Sequence, residues 1–198
     1  MGKIMLLLAL MTSLCSFGQS RPIHYQAGLL KASATIAPTN FYMAYSTSAM
    51  LNGYLEYIVE DKISIRGDIF QYIPGVGRFV FNHLNMPQNY TAIYAGFGYQ
   101  LGKKNWKHTL HIQPGITYTQ IGATVAYPTP RYSVNPSINL KAGTCLYVSP
   151  YFHFFAEINW NNSSIRNNPE SSSISTAQVG ISAGLGFNIQ TRRKLNRN

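Results

Sequence analysis

Charge is scarce in this chain. Lys, Arg, Asp and Glu make up 11% of its 198 residues, against roughly 25% in an ordinary soluble domain. Acids are rarer than bases, 6 against 16, which leaves a formal net charge of +10. A β protein this poor in charge could not cover a water-facing exterior. Cysteine is almost missing as well. Cys15 lies in an N-terminal apolar segment and Cys145 stands alone in the body, so no intramolecular disulfide is expected. No internal apolar run reaches the roughly 18 residues that a membrane-spanning helix requires. Basic residues are not interleaved with aromatics, which argues against a nucleic-acid platform.

Aromatics and glycine, by contrast, are abundant: 14 Tyr, 10 Phe and 16 Gly. Residues 1–18 read as an export signal. Lys3 gives a short positive start, Ile4–Leu14 an apolar stretch, and Ser16-Phe17-Gly18 small residues at −3 and −1, with cleavage expected after Gly18. Leu14, where a small residue would be needed, argues against lipidation of Cys15. Residues 19–190 then form a single domain, and 191–198 a basic tail carrying Arg192, Arg193, Lys194 and Arg197. The tail reads as a solvated end, with an anionic partner as the alternative.

The body resolves into runs of roughly ten to fifteen residues with period-two alternation, separated by turn chemistry. In Ala177–Gln190 one face carries Val179, Ile181, Ala183, Leu185, Phe187 and Ile189, and the other Gln178, Gly180, Ser182, Gly184, Gly186, Asn188 and Gln190. Tyr151–Trp160, Ser137–Leu146 and Leu110–Tyr118 alternate as clearly, the polar faces holding Tyr151, His153, Phe155 and Glu157, then Lys141 and Cys145, then His111 and Gln113. Rougher patterns cover Tyr90–Leu101, Lys62–Ile73, Ser48–Glu60 and Tyr25–Ile36, so eight strands are expected. Connections alternate in length. Glu60-Asp61-Lys62, Gly102–Trp106 and Val148-Ser149-Pro150 are tight, whereas Ala37–Thr47, Pro74–Asn89, Gly122–Asn135 and Asn161–Ser175 are long. Transmembrane barrels pair short periplasmic turns with long external loops in this way. The fold expected is all-β, an eight-stranded antiparallel up-and-down transmembrane barrel with both termini in the periplasm.

Alternation leaves open which face is inside. Were the apolar face inward, Gly180, Gly184 and Gly186 would be exposed to water, where glycine weakens a strand to no purpose. With the apolar face outward they fit a narrow interior that side chains must fill. Tyr57, Tyr99, Phe152 and Phe187 near the turns, and Tyr118 and Trp160 near the loops, would form interfacial girdles.

So organised, residues 25–190 resemble the small eight-stranded outer-membrane barrels: the OmpX and OmpA-transmembrane type, and the PorT-like barrels of Bacteroidota. The Ser-Phe-Gly-Gln signal ending also resembles that of Bacteroidota. Ser182, Gly184, Phe187 and Ile189 match the polar-x-Gly-x-x-apolar-x-apolar signal by which such strands are assembled, although here a charged tail follows. The resemblance implies the cell outer membrane, contact with lipid and lipopolysaccharide, and recognition by the barrel-assembly machinery.

Within the strands the charges fall mainly on the inward face: Lys31, Glu56, Arg66, Asp68, Lys141 and Glu157. Charges in a narrow lumen must pair, so an interior network is expected. Glu56 and Arg66 lie five residues either side of Asp61, and Lys141 and Glu157 eight residues either side of Ser149, which predicts both pairs directly opposite across hairpins. His111, Cys145 and His153 share an inward level, but a hydrogen-bonded interior accounts for them better than a metal. No catalytic, cofactor or metal site is expected. The function expected is structural or interactive, the loops or tail docking a still unidentified protein. The alternative is a narrow transporter or channel for a small or apolar solute. A lipid-modifying enzyme of the PagL or PagP kind would require an activated serine, and the PagL-like His-x-Ser pattern is missing.

Overall fold

A computed structural model describes residues 27–41, 46–78, 87–102, 105–121, 131–165, 174–175 and 177–191. Eight long strands form the wall: β1 (Leu29–Phe41), β2 (Ser46–Glu60), β3 (Ile63–Arg78), β4 (Pro87–Leu101), β5 (Trp106–Ile121), β6 (Arg131–Tyr147), β7 (Phe152–Ile165) and β9 (Gln178–Gln190). The two-residue β8 (Ile174–Ser175) folds back onto the end of β7. Successive long strands pair antiparallel, and β1 pairs with β9 to close the sheet on itself. Closure leaves no free edge strand, which is the condition for spanning a hydrocarbon layer with strands.

Side-chain parity settles the faces. Ile36, Phe97, Ile181 and Ile189 are 57–65% exposed on the outside, whereas the inward residues Glu56 and Arg66 are 1% exposed. Gly184 and Gly186 lie inside, where the Phe155 ring and the His153 imidazole occupy the space a Cβ would take. The outer aromatics sit where girdles belong, with the Phe152 and Phe187 rings 5.3 Å apart and Tyr118 stacked on Tyr132 at 6.0 Å. Tyr151 departs from the expected pattern: it is 70% exposed, in the turn before β7 rather than in the interior.

The strands are longer than the alternation suggested. They run from 13 residues in β1 to 17 in β6, against about 9–11 needed to cross a bilayer. β1 continues through Pro38 to Phe41, β3 through Pro74 to Arg78, β6 begins at Arg131 and β7 ends at Ile165, all inside segments expected to be loops. The ladder continues past the apolar band because wall residues there still satisfy one another's backbone groups. Tyr25 and Gln26, the central parts of the long connections, residues 1–18 and the tail from Arg192 lie outside the described residues.

Candidate functional site in the barrel lumen

The lumen is filled in three layers. Nearest the short turns, Leu29, Ile58, Cys145 and Tyr147 form a buried apolar cluster. Toward the loops, Met50, Phe70, Tyr72, Tyr90, Ala92 and Tyr94 form a second, along β2–β4. Between them lie the six charged residues, 1–6% exposed. Strand parity alone places them there, since each sits at an inward position of its own strand.

Arg66 on β3 is the hub. Its Nε and Nη2 donate to the two carboxylate oxygens of Asp68 at 2.9 and 3.0 Å. Its Nη1 and Nη2 donate to Glu157 on β7 at 2.5 and 2.8 Å. One planar guanidinium thus holds two carboxylates bidentately, a geometry lysine cannot supply. Its face lies 3.8 Å from the centre of the Tyr54 ring. Lys141 on β6 reaches Asp68 at 2.5 Å and Glu157 at 3.4 Å. Lys31 on β1 pairs with Glu56 on β2 at 2.6 Å. Three cations face three anions, so the cluster carries no net charge.

Neutral residues complete it. Gln100 Nε2 donates to Glu56 at 3.0 Å, and His111 Nε2 lies 3.4 Å from the same oxygen. Gln113 donates to Asp68 at 2.6 Å and accepts from Asn139 at 2.6 Å. His153 donates from Nδ1 to Asn188 Oδ1 at 2.7 Å, which leaves Nε2 to accept the Tyr54 hydroxyl at 2.6 Å. Tyr54, Gln100 and Asn139 were not singled out in the sequence, though inward parity marks each of them. His111, Cys145 and His153 do not converge: one faces Glu56, one lies in the turn-side apolar cluster, one bonds Tyr54.

The two expected hairpin pairs differ. Glu56 does face Arg66 in register, yet their closest approach is 3.8 Å, because the guanidinium turns to Asp68 and Glu157. Lys141 is opposite Asn159, not Glu157, which faces Gly143. The turn after β6 is centred one residue later than expected. Ser149 Oγ accepts from the Tyr151 and Phe152 amides at 3.2 and 3.0 Å, holding Tyr147 opposite His153. A shift of one in the centre moves the register by two, so Lys141 meets Glu157 diagonally. In the last strand, Ser182 and Gly184 point inward while Phe187 and Ile189 are exposed outside.

By sequence, no family profile and no curated protein matches this chain. Solved structures match it by shape. Neisserial surface protein A superposes with a TM-score of 0.58 at 12% identity, over 82% of this chain and 96% of that one. Ail, the attachment invasion locus protein of Yersinia pestis, superposes with a TM-score of 0.52 at 13% identity, over 83% of this chain and all (100%) of that one. At such identities the likeness is one of fold. Together with the apolar exterior and closed wall, it defines an eight-stranded transmembrane β-barrel of the outer membrane.

Proposed function

We propose that this barrel is a sealed membrane anchor that acts by interaction rather than conduction or catalysis. The observation that carries the reading is the Arg66 fork, which ties β3 to β7 across the lumen through Glu157. Apolar clusters flank that layer along part of the wall, and the charges between them are held in ion pairs. A permeation pathway needs sites that a solute enters and leaves, and here the six charged side chains are paired with one another rather than open to a solute. The wall is therefore the support, and the job belongs to the connections at one end or the tail at the other.

In this reading residues 1–18 direct export and are removed, and the tail faces the periplasm. The external side meets lipopolysaccharide, and a protein partner docks on the loops or the tail. Ser182, Gly184, Phe187 and Ile189 serve the assembly machinery, and the six lumen charges serve closure. The leader ending and the strand organisation together favour the PorT-like barrels of Bacteroidota as its kin.

Planar-bilayer recording tests the sealed lumen. The wild-type barrel should pass no measurable current, and Arg66→Ala, if it inserts, should leak. Wild-type conductance that survives purification would replace this reading with the narrow-channel one. Affinity capture from intact outer membranes should then return a stoichiometric protein that is lost when residues 191–198 or an external connection are removed.

A further inference from the structure

The wall is not equally bonded all the way round. β1 and β9 pair from Leu29–Gln190 to Ala32–Phe187 and again from Thr39–Gly180 to Phe41–Gln178, with no ladder pairing between. The offset is the same on both sides of this break, so the strands have not slipped past a bulge; they run on side by side without ladder pairing. The β4–β5 ladder lacks pairs only at Ala95 and Gly96, whereas the skip of residues 73–76 in β2–β3 and the end of β3–β4 at Gln71–Thr91 lie at the loop end. Elsewhere β1 is paired with β2 without interruption from Leu30 to Phe41, and β9 with β7 from Gln178 to Phe187. Each lip of the break is thus held firmly by its other neighbour.

What spans the break is two side chains. Ser33 Oγ donates to the Leu185 carbonyl at 3.1 Å and Thr35 Oγ1 to the Ala183 carbonyl at 2.8 Å. Both point inward, yet they are half-buried, while Lys31 and Ala37 on either side are fully buried. The flanking outward residues Ile36, Ile181 and Leu185 are exposed and apolar, which puts the break at hydrocarbon depth, where an unpaired backbone group is costly. Its inner surface is small, with Ala37, Gly180, Ser182, Gly184 and Gly186, so separation pulls no large side chain through the wall. β9 has no charged residue, and so no ion pair ties it to the lumen network.

We propose that the β1–β9 seam is a lateral gate to the bilayer, pinned at both ends and latched at its middle by Ser33 and Thr35. It opens sideways to lipid, independently of whether the lumen is sealed lengthwise. Amide hydrogen–deuterium exchange on the barrel in lipid nanodiscs tests this. Amides of Ile181, Ala183 and Leu185, which face β1, should exchange at least about tenfold faster than those of the β5–β6 ladder at the same depth, and Ser33→Ala/Thr35→Ala should widen the gap by about tenfold more. In a Cys145→Ser background, a disulfide between Ala34→Cys and Leu185→Cys, opposite each other by register, should erase the difference on oxidation and restore it on reduction. Uniform protection of the wild-type wall, or a seam indifferent to the loss of both hydroxyls, would overturn the gate. The wild-type comparison stands even if the variants fail to assemble.

Discussion

Lys31 has simple surroundings. Its ammonium reaches Glu56 at 2.6 Å and lies 5.9 Å above the Tyr147 ring, with 2% of its surface exposed. Removing it takes from Glu56 its closest cation and leaves Gln100, His111 and a guanidinium 3.8 Å away, and breaking a buried pair costs about 3–5 kcal/mol. Lys31→Met should therefore lower stability to urea in detergent by about that amount, and Lys31→Met/Glu56→Gln should recover most of it. If the single and double variants unfold alike, the pair contributes nothing to closure. Inward parity made every member of this layer legible in the sequence, because each charged residue follows the alternation of its own strand. The partners were less legible. Arg66 sits opposite Glu56 on the hairpin but bonds Asp68, two residues along its own strand, and Glu157 across the lumen. Which residues meet across a barrel depends on its shear, and nothing local to β3 or β7 encodes that.

Among the elements, hairpins and loop-side strand ends fared differently. Counting from Asp61 gave the right register for Glu56 because a bulge at Val59 offsets a turn centred between Asp61 and Lys62, whereas the Ser149 hydroxyl draws the Tyr151 and Phe152 amides around itself and moves the β6–β7 turn by one residue. A side chain that caps a turn cannot be seen by counting. The loop-side strand ends were hidden for another reason. Apolar alternation stops where lipid stops, so polar wall such as Asn161–Ile165 looks like loop although its backbone is still laddered. The lipid-facing surface itself is unambiguous, and it makes a sharp prediction. Ile181, 57% exposed on β9, should not tolerate charge: Ile181→Arg should cost about 2–4 kcal/mol at the midplane. The expected signature is loss of heat-modifiable, folded protein on gels, with Ser182→Thr next to it spared. If Ile181→Arg folds like wild type, the assignment of the two faces is reversed.

For the whole molecule, both barrel termini lie at the end of the short turns, since Leu29 pairs with Gln190. If that end is periplasmic, a cysteine at Asn82, between β3 and β4, should react with an impermeant maleimide on whole cells. One at Asp61 should react only once the outer membrane is broken. The opposite pattern would invert the orientation. The strand lengths carry a consequence of their own. At about 3.3 Å per residue and a tilt of about 40°, the 17 residues of β6 rise about 43 Å. The apolar belt such a barrel presents is only about 25 Å tall. With tight turns at one end, most of the remaining height, about 18 Å, projects beyond the lipid on the other. The β5–β6 hairpin thus stands as a turret above the lower β1–β9 side, whose 13 residues rise about 33 Å. A bulky soluble partner could grip its rim without displacing a single lipid, and shortening the turret by paired deletions in β5 and β6 would lower that rim while leaving the membrane-embedded part intact.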